Sequence, residues 1–287
     1  LYCHGRASCC AADAKTVCSL REHSYVSVYT GIDSRIGNCE GGSPNLSQAQ
    51  PALRKLNLKS LATEADLKFG GCPTKAKPIL ESQEVYFYDF TLSHHTPNFA
   101  LLSSEELNRC QSYLHPEAMR IFATCRTLLR QVLGQWLKIP AQNISIRIGA
   151  YGKPETKGIY FNLSHAHDKM ILVLSLKGSV GVDIEKIDPT ISLKEMESCL
   201  SIQEKKFLSG FPESKRHLLF FTLWVKKEAA LKEQGTGIYE DLANIDTLDP
   251  NGHYIWTLIP VEDIYVSYLA TSYEVTHVCR CALKHQP

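Results

Sequence analysis

Two carboxylates, Asp183 and Glu185, stand two residues apart in "GVDIEKID", directly after the apolar run "MILVLSLKGSV". On a strand, alternate side chains share a face, so this pair points one way while Val182 and Ile184 point into a core. A buried acid is costly unless it is paired, hydrogen-bonded or metal-bound. The segment "LWVKKEAALKEQGTG" reads as a helix with Trp224, Glu228 and Lys232 at four-residue intervals along one broad face. Where that face meets the strand, Asp183, Glu185 and Glu228 converge, and three neighbouring anions require compensation. A hard divalent cation with oxygen ligands, Mg2+ or Mn2+, supplies it, and such ions take phosphate or water at their remaining positions. The bland alternative is a solvated strand end, an ordinary exposed Glu228–Lys232 pair and a Trp224 that only anchors a core.

The elements that must position these residues begin near residue 83. Before that, in 1–82, "GNCEGGSPNLSQAQP" and "FGGCPTKAKP" are turn-rich, and no convincing core assembles; the segment reads as low-complexity or disordered. The chain opens on Leu1, as a fragment or an over-extended reading frame does, and "LYCHGRASCC" is not a positive-then-apolar secretory leader. From Glu84, "VYFYDF" reads as a strand, and Ser103 or Ser104 with Glu105 or Glu106 as a capping box. Pro116 opens a long helix with Ile121, Leu128, Val132 and Leu133 at helical spacing. "ISIRIGA", "IYFNLSHA" and "MILVLSL" read as strands, and "SVGVDIEKI" is expected to pair with the last of them. Helical pieces follow around 192–208, then a helix from about Lys215 to Gln234 stopped by Gly235 and Gly237. Strands fill the tail. Two comparable rounds, 83–178 and 179–287, predict an α+β protein of two similar halves with the site where they meet.

Bulk properties exclude some classes. A net charge of +1 gives no global field for nucleic acid or membranes. The longest apolar run, Met170 to Leu176, is strand-sized, well short of the roughly 18 residues of a membrane span. The 11 cysteines are irregularly spaced and contain no C-x-x-C, which argues against a zinc site and for a reducing, cytoplasmic setting. Cys110, Cys125 and Cys199 are expected to be small core residues.

At this point four motifs in order resemble the 4'-phosphopantetheinyl transferase superfamily. "VGVDIE" (Val180 to Glu185) is similar to the family's [IV]-G-[IV]-D, and "WVKKEAALK" (Trp224 to Lys232) to its [FW]-[SCT]-x-K-E-[AS]-x-x-K. Glu228 follows Asp183 by 45 residues, a separation that suits the pattern. Upstream, "YGKP" and "FNLSHAHD" are similar to the family's G-K-P and N-[IL]-S-H, and "LSSEEL" and "RTLLRQVLG" fit its N-terminal half. The resemblance spans about 84 to 270 and is of the Sfp type, a pseudo-duplicated fold with the active site between its halves. Val225 departs from the family's Ser, Thr or Cys.

The resemblance implies an Mg2+-dependent holo-[acyl-carrier-protein] synthase. It would move 4'-phosphopantetheine from coenzyme A to a serine of an apo acyl or peptidyl carrier protein and release adenosine 3',5'-bisphosphate. It implies a metal set of Asp183, Glu185 and Glu228, with Mn2+ as the substitute ion. Lys232 would contact the phosphates, assisted by Lys227. Glu204 in "SIQEKKF" would be the base, with Glu228 as the competing candidate. Lys153, Ser164 and His165 would hold the nucleotide's 3'-phosphate, with Arg120 and Arg126 as further cations; His167 rivals His165, and Arg120, Arg126 and Arg130 read equally as the wet side of a helix. Lys205, Lys206, Lys215 and Arg216 read either as a carrier-protein contact or as solvated charge. The expected state is a monomer without nucleic-acid or membrane partners. Two other functions fit the same residues: a catalytically silent coenzyme A or carrier-protein binding module, and a metal-dependent nucleotide pyrophosphohydrolase. Removing Asp183 is expected to relieve repulsion and leave the fold intact.

Overall fold

A computed structural model describes residues 68–71, 83–236 and 242–283. Strand β1 (Lys68–Gly71) lies inside the segment 1–82 and the remainder of that segment falls outside the described residues. The folded chain runs β2 (Glu84–Thr91), α1 (Ser104–Gln111), α2 (Pro116–Leu137), β3 (Arg147–Ile148), β4 (Pro154–Glu155), β5 (Tyr160–Ala166), β6 (Lys169–Ser175) and β7 (Gly181–Lys186). It continues with α3 (Ile202–Ser209), α4 (Glu213–Gln234), β8 (Ile255–Leu258), β9 (Tyr265–Thr271) and β10 (His277–Arg280). This is a mixed α+β fold.

Local chemistry explains most of the boundaries. Ser103 caps α1 and Glu106 returns the bond to the Ser103 amide, closing the capping box. Ser201 and Glu204 repeat that arrangement at α3. Pro116 occupies the first turn of α2, where a missing N–H costs nothing. Gly235, at φ +72°, ends α4 in the left-handed conformation that glycine enters freely.

Five strands form one sheet in the order β1-β10-β2-β6-β5, and three form another in the order β7-β9-β8. From Met170 to Leu174 the β6 sequence is apolar because both its faces are covered. Met170, Leu172 and Leu174 pack with Leu128, Val132 and Leu133 of α2. Ile171 and Val173 meet Val182, Ile184 and Leu269 of the second sheet. The outer face of that sheet, with Val266, Tyr268 and Ala270, packs on Leu219, Leu223 and Trp224 of α4. The layers are therefore helix, sheet, sheet, helix, and α4 is buried almost all round from Leu219 to Glu233, covered on its far side by α3 and the 242–248 segment.

Three sequence expectations change. Strand β7 does not pair with β6; it pairs antiparallel with β9, so Asp183 belongs to the second sheet. Strand β10, from the second round, inserts between β1 and β2, parallel to both, so the rounds are not spatially separate. Arg130 is not on the wet side of its helix. It is buried, bonded to Glu106 at 2.7 Å and to the Ile144 carbonyl at 2.9 Å. Cys110, Cys125 and Cys199 are buried free thiols, as expected; burial pushes the Cys125 thiol up to about 12.

The closest backbone approach lies at Gly181. A Cβ there would fall 1.9 Å from the Ala229 carbonyl oxygen and 2.4 Å from the Glu233 amide nitrogen. No L side chain fits, so the glycine of "GVD" is what lets β7 lie against α4. Gly181→Ala is expected to destabilise the fold by about 3 kcal/mol or more. Urea unfolding reads it; a midpoint equal to the parent's contradicts this packing.

Candidate functional site

The edge strands of the two sheets, β5 and β7, meet side by side. They are not hydrogen-bonded as a ladder; instead the Val182 amide donates to the Asn162 side-chain oxygen at 2.9 Å. Two residues on, Ser164 shares that face of β5 and donates from Oγ to Asp183 Oδ1 at 2.8 Å. Asp183 has no solvent exposure, and Lys232 of α4 brings its ammonium 2.5 Å from the same oxygen and 2.9 Å from Ser164 Oγ. Ser267 of β9 donates to the Asp183 carbonyl at 2.8 Å and holds the strand from behind. Three motif segments, far apart in the chain, thus close on one charged contact.

Glu228 is buried one turn before Lys232 on α4, and Glu185 lies half-exposed beyond Asp183 on the same face of β7. Among the described residues, no three His, Cys, Asp or Glu side chains stand close enough together to hold a metal ion. Within the chain, the counter-ion of Asp183 is Lys232. The other oxygen, Asp183 Oδ2, is buried and accepts no hydrogen bond. A desolvated carboxylate oxygen of this kind is the donor a hard divalent cation prefers, so the site fits such an ion with Asp183 as its anchor.

Removing Asp183 does not relieve repulsion here. It strands a buried ammonium, the costly half of a broken ion pair.

Other sequence-predicted residues are placed elsewhere. Glu204 is fully buried. It pairs with Lys227 at 2.6 Å, accepts from the Thr247 amide and hydroxyl at 3.0 and 2.8 Å, and closes the Ser201 cap. Lys227 also donates to the Leu242 carbonyl at 2.8 Å, and burial pulls its pKa down against the opposing pull of Glu204. Both side chains tie α3, α4 and the 242–248 segment together on the side of α4 away from Asp183. To act as a base, Glu204 would have to abandon every one of these contacts. Trp224 is a core residue stacked near Phe220, and Val225 is packed in the same core, so its departure from the family pattern alters nothing at the charged contact. The adjacent Lys226 is also fully buried, its ammonium 5.0 Å from the Tyr268 ring centre.

The nucleotide candidates divide. Ser164 turns to Asp183, while alternation sends His165 with Phe161 and Leu163 to the opposite face, the one α2 covers. Burial, with Lys232 as a second cause, lowers the His165 pKa to about 4, so the imidazole is neutral near pH 7. On α2, Arg120 bonds Glu117 at 2.7 Å and is a third exposed. Arg126 lies 3.8 Å from Glu106 and 5.2 Å from the Phe122 ring centre, with a buried Nη1 that has no hydrogen-bond partner. Burial lowers its pKa. His167 occupies the exposed β5–β6 turn at φ 51°. Lys153 reaches oxygens at the junction of β7 and α4. Lys205, Lys206 and Lys215 are exposed.

Sequence reasoning missed Asn162, Thr247 and Ser267. Asn162 carried a signal, since it stands two residues before Ser164 in the quoted motif. The other two carried none. A cavity of about 710 Å3 lined by Asp89, His95, Asn98, Gln131, Gln135 and Arg280 lies between β2 and α2, away from the charged contact.

Comparison with known proteins bears on the same residues. The family model described as "4'-phosphopantetheinyl transferase superfamily" matches residues 179–276, which hold Asp183, Glu228 and Lys232. The chain is 32% identical over 146 residues to the 4'-phosphopantetheinyl transferase HetI of Nostoc sp., covering 48% of this chain and 62% of that one. Over 142 residues it is 27% identical to the 4'-phosphopantetheinyl transferase Sfp of Bacillus subtilis, covering 48% and 62%. With the 4'-phosphopantetheinyl transferase gsp of Aneurinibacillus migulanus it shares 36% over 113 residues, covering 39% and 47%. The matches thus span about half to three-fifths of the length of these relatives. They bear out the resemblance seen in the motifs, including the likeness to Sfp.

Two outcomes follow from this geometry. Glu204→Ala leaves the Lys227 ammonium buried and unpaired and is expected to cost about 3–5 kcal/mol in urea unfolding; a loss below about 1 kcal/mol would mean the pair is not the clasp drawn here. His165 binds its proton near pH 6.5 in the unfolded chain but only near 4 when folded. Folding therefore excludes a proton between those values, and the contribution of His165 to stability is lost as pH falls through that window. His165→Gln is expected to make the pH dependence of the urea midpoint shallower between pH 6.5 and 4, by up to about one proton. An unchanged slope contradicts the neutral imidazole.

Proposed function

We propose that the chain is a 4'-phosphopantetheinyl transferase of the holo-[acyl-carrier-protein] synthase type. It moves the phosphopantetheine group of coenzyme A onto a serine of an apo acyl or peptidyl carrier protein and releases adenosine 3',5'-bisphosphate. One observation carries the reading. The buried contact among Ser164, Asp183 and Lys232 joins residues from three of the four family motifs, with Glu228 one helical turn away. The two layers, each with a 22-residue helix against a sheet, agree with a pseudo-duplicated fold whose active site lies between the halves.

In the reaction, the carrier serine oxygen attacks the β-phosphorus of the pyrophosphate, and the bond to the nucleotide's 5'-phosphate oxygen breaks. Little covalent work falls to the protein; it orients the pyrophosphate and neutralises developing charge. Lys232 is the cation positioned for this, held by Asp183 and Ser164 in a site from which water is largely excluded. Asp183 is the metal anchor, with Glu185 and Glu228 as further carboxylates of the set. These residues would hold Mg2+, or Mn2+ in its place, which would offset the charge of the pyrophosphate. Glu228 is our candidate to accept the serine proton, since Glu204 is committed to Lys227. His165, Arg126 and Arg120 face the α2 side, where the unpartnered Nη1 of Arg126 offers a donor to the nucleotide's phosphate. We place the protein as a monomer in a reducing, cytoplasmic setting, which suits the five buried free thiols among the described residues.

The deciding assay incubates the full chain with coenzyme A, Mg2+ and an apo carrier protein and weighs the carrier. A gain of one phosphopantetheine is expected. Coenzyme A bound without transfer indicates a silent binding module, and coenzyme A cleaved with an unmodified carrier indicates a pyrophosphohydrolase. Asp183→Asn and Glu228→Gln, which preserve shape, are each expected to lower kcat at least about a hundredfold. Glu204→Gln keeps its cap and is expected to lower kcat less than about tenfold; a folded variant reduced by a hundredfold or more would make Glu204 the base.

A further inference from the structure

Lys153 stands in the "YGKP" turn, distant in sequence from the helix it touches. Its ammonium donates to the Glu233 carbonyl at 3.0 Å, the Val180 carbonyl at 3.2 Å and Ser179 Oγ at 3.0 Å. An ammonium has three protons, and three protein oxygens take them. The Glu233 carbonyl is one of the last four of α4, which have no partner within the helix and attract a cation. Glu233 directly follows Lys232, and Val180 lies three residues before Asp183.

The delivery is equally specific. A tight turn, closed by the Gly149 amide on the Lys153 carbonyl at 2.8 Å, passes through Gly152 at φ +88°. The aliphatic stem then lies over Gly235, where a Cβ would come within 3.1 Å of Lys153 Cδ. Ser179 also donates to the Glu233 carbonyl, and Ser272 donates to the Glu233 side chain at 3.0 Å. The end of α4 is thus nested from three directions.

We propose that Lys153 is a positioning residue for the transfer reaction: it clasps the last turn of α4 to the entry of β7 and so holds Lys232 against Asp183. This differs from a nucleotide contact, because a lysine with all its protons engaged by protein oxygens has none for the nucleotide's 3'-phosphate. The kinetic half of the inference rests on the transferase reading; the structural half does not.

The test compares the parent with Lys153→Met, which keeps the stem and removes the charge, at a temperature where both are folded. Coenzyme A and 3'-dephospho-coenzyme A serve as alternative donors, and amide hydrogen exchange is followed at 231–235. Loss of the clasp is expected to lower kcat about tenfold to a hundredfold, equally for both donors, with the ratio of their KM values unchanged. Exchange at 231–235 is expected to accelerate roughly tenfold. A rise in KM for coenzyme A alone overturns the proposal and makes Lys153 a phosphate contact. Unchanged exchange overturns it as well. If the parent shows no transfer with either donor, the proposed function fails while exchange still decides the clasp. Should Lys153→Met not fold, Ser179→Ala removes one acceptor and gives the same readouts at smaller amplitude.

Discussion

An aspartate with no access to water cannot stay charged without a cation beside it, and Lys232 meets that need for Asp183 at 2.5 Å. Each group is intolerable in that place without the other, since their attraction is what offsets two desolvation costs. Two apolar residues of similar size would fill the space with no such cost. The contact exists only because β7 lies against α4 closely enough for Gly181 to touch the helix backbone. Ser164 brings the first sheet into the same contact, and its hydrogen bond, with that from the Val182 amide to Asn162, holds the two layers in register at their edge.

The charged residues around α4 serve different ends although their types are alike. Lys232 faces the contact; Lys227, on the opposite side, is locked to Glu204; Lys226 rests on aromatic rings. A helix buried on nearly all sides needs its charges matched one by one, because no solvent is present to absorb an error. Each match also sets a rotation or depth of the helix. The Glu204–Lys227 pair fixes α4 against α3, and the Lys153 ammonium fixes its end. The result is a lysine–aspartate pair with little freedom to move, which suits work done by placing charge rather than by making bonds.

Much of the architecture was legible in the chain. The capping boxes at Ser103 and Ser201, Pro116 at a helix start and Gly235 at a helix end all depend on interactions within a few residues. Strand β6 was legible because both its faces are buried. What misled was pairing. The adjacency of β6 and β7 in sequence suggested a ladder, but the second sheet takes β7, and Asn162 satisfies the edge amide that β6 would have bonded. The insertion of β10 into the first sheet left no mark in its sequence, since a short buried strand reads the same in either sheet.

By itself the sequence determined most of the helices and strands and the four motifs in order. It also raised the right demand, that Asp183 must have a partner. Only the tertiary structure decided that the partner is Lys232, that Glu204 and Lys227 neutralise each other, and that Ser164 and His165 part company. The reason is range. Periodicity, caps and turns act over a few positions, whereas the partner of a buried charge can lie anywhere in the chain, here 49 residues away, and is chosen by which surfaces the packed layers press together.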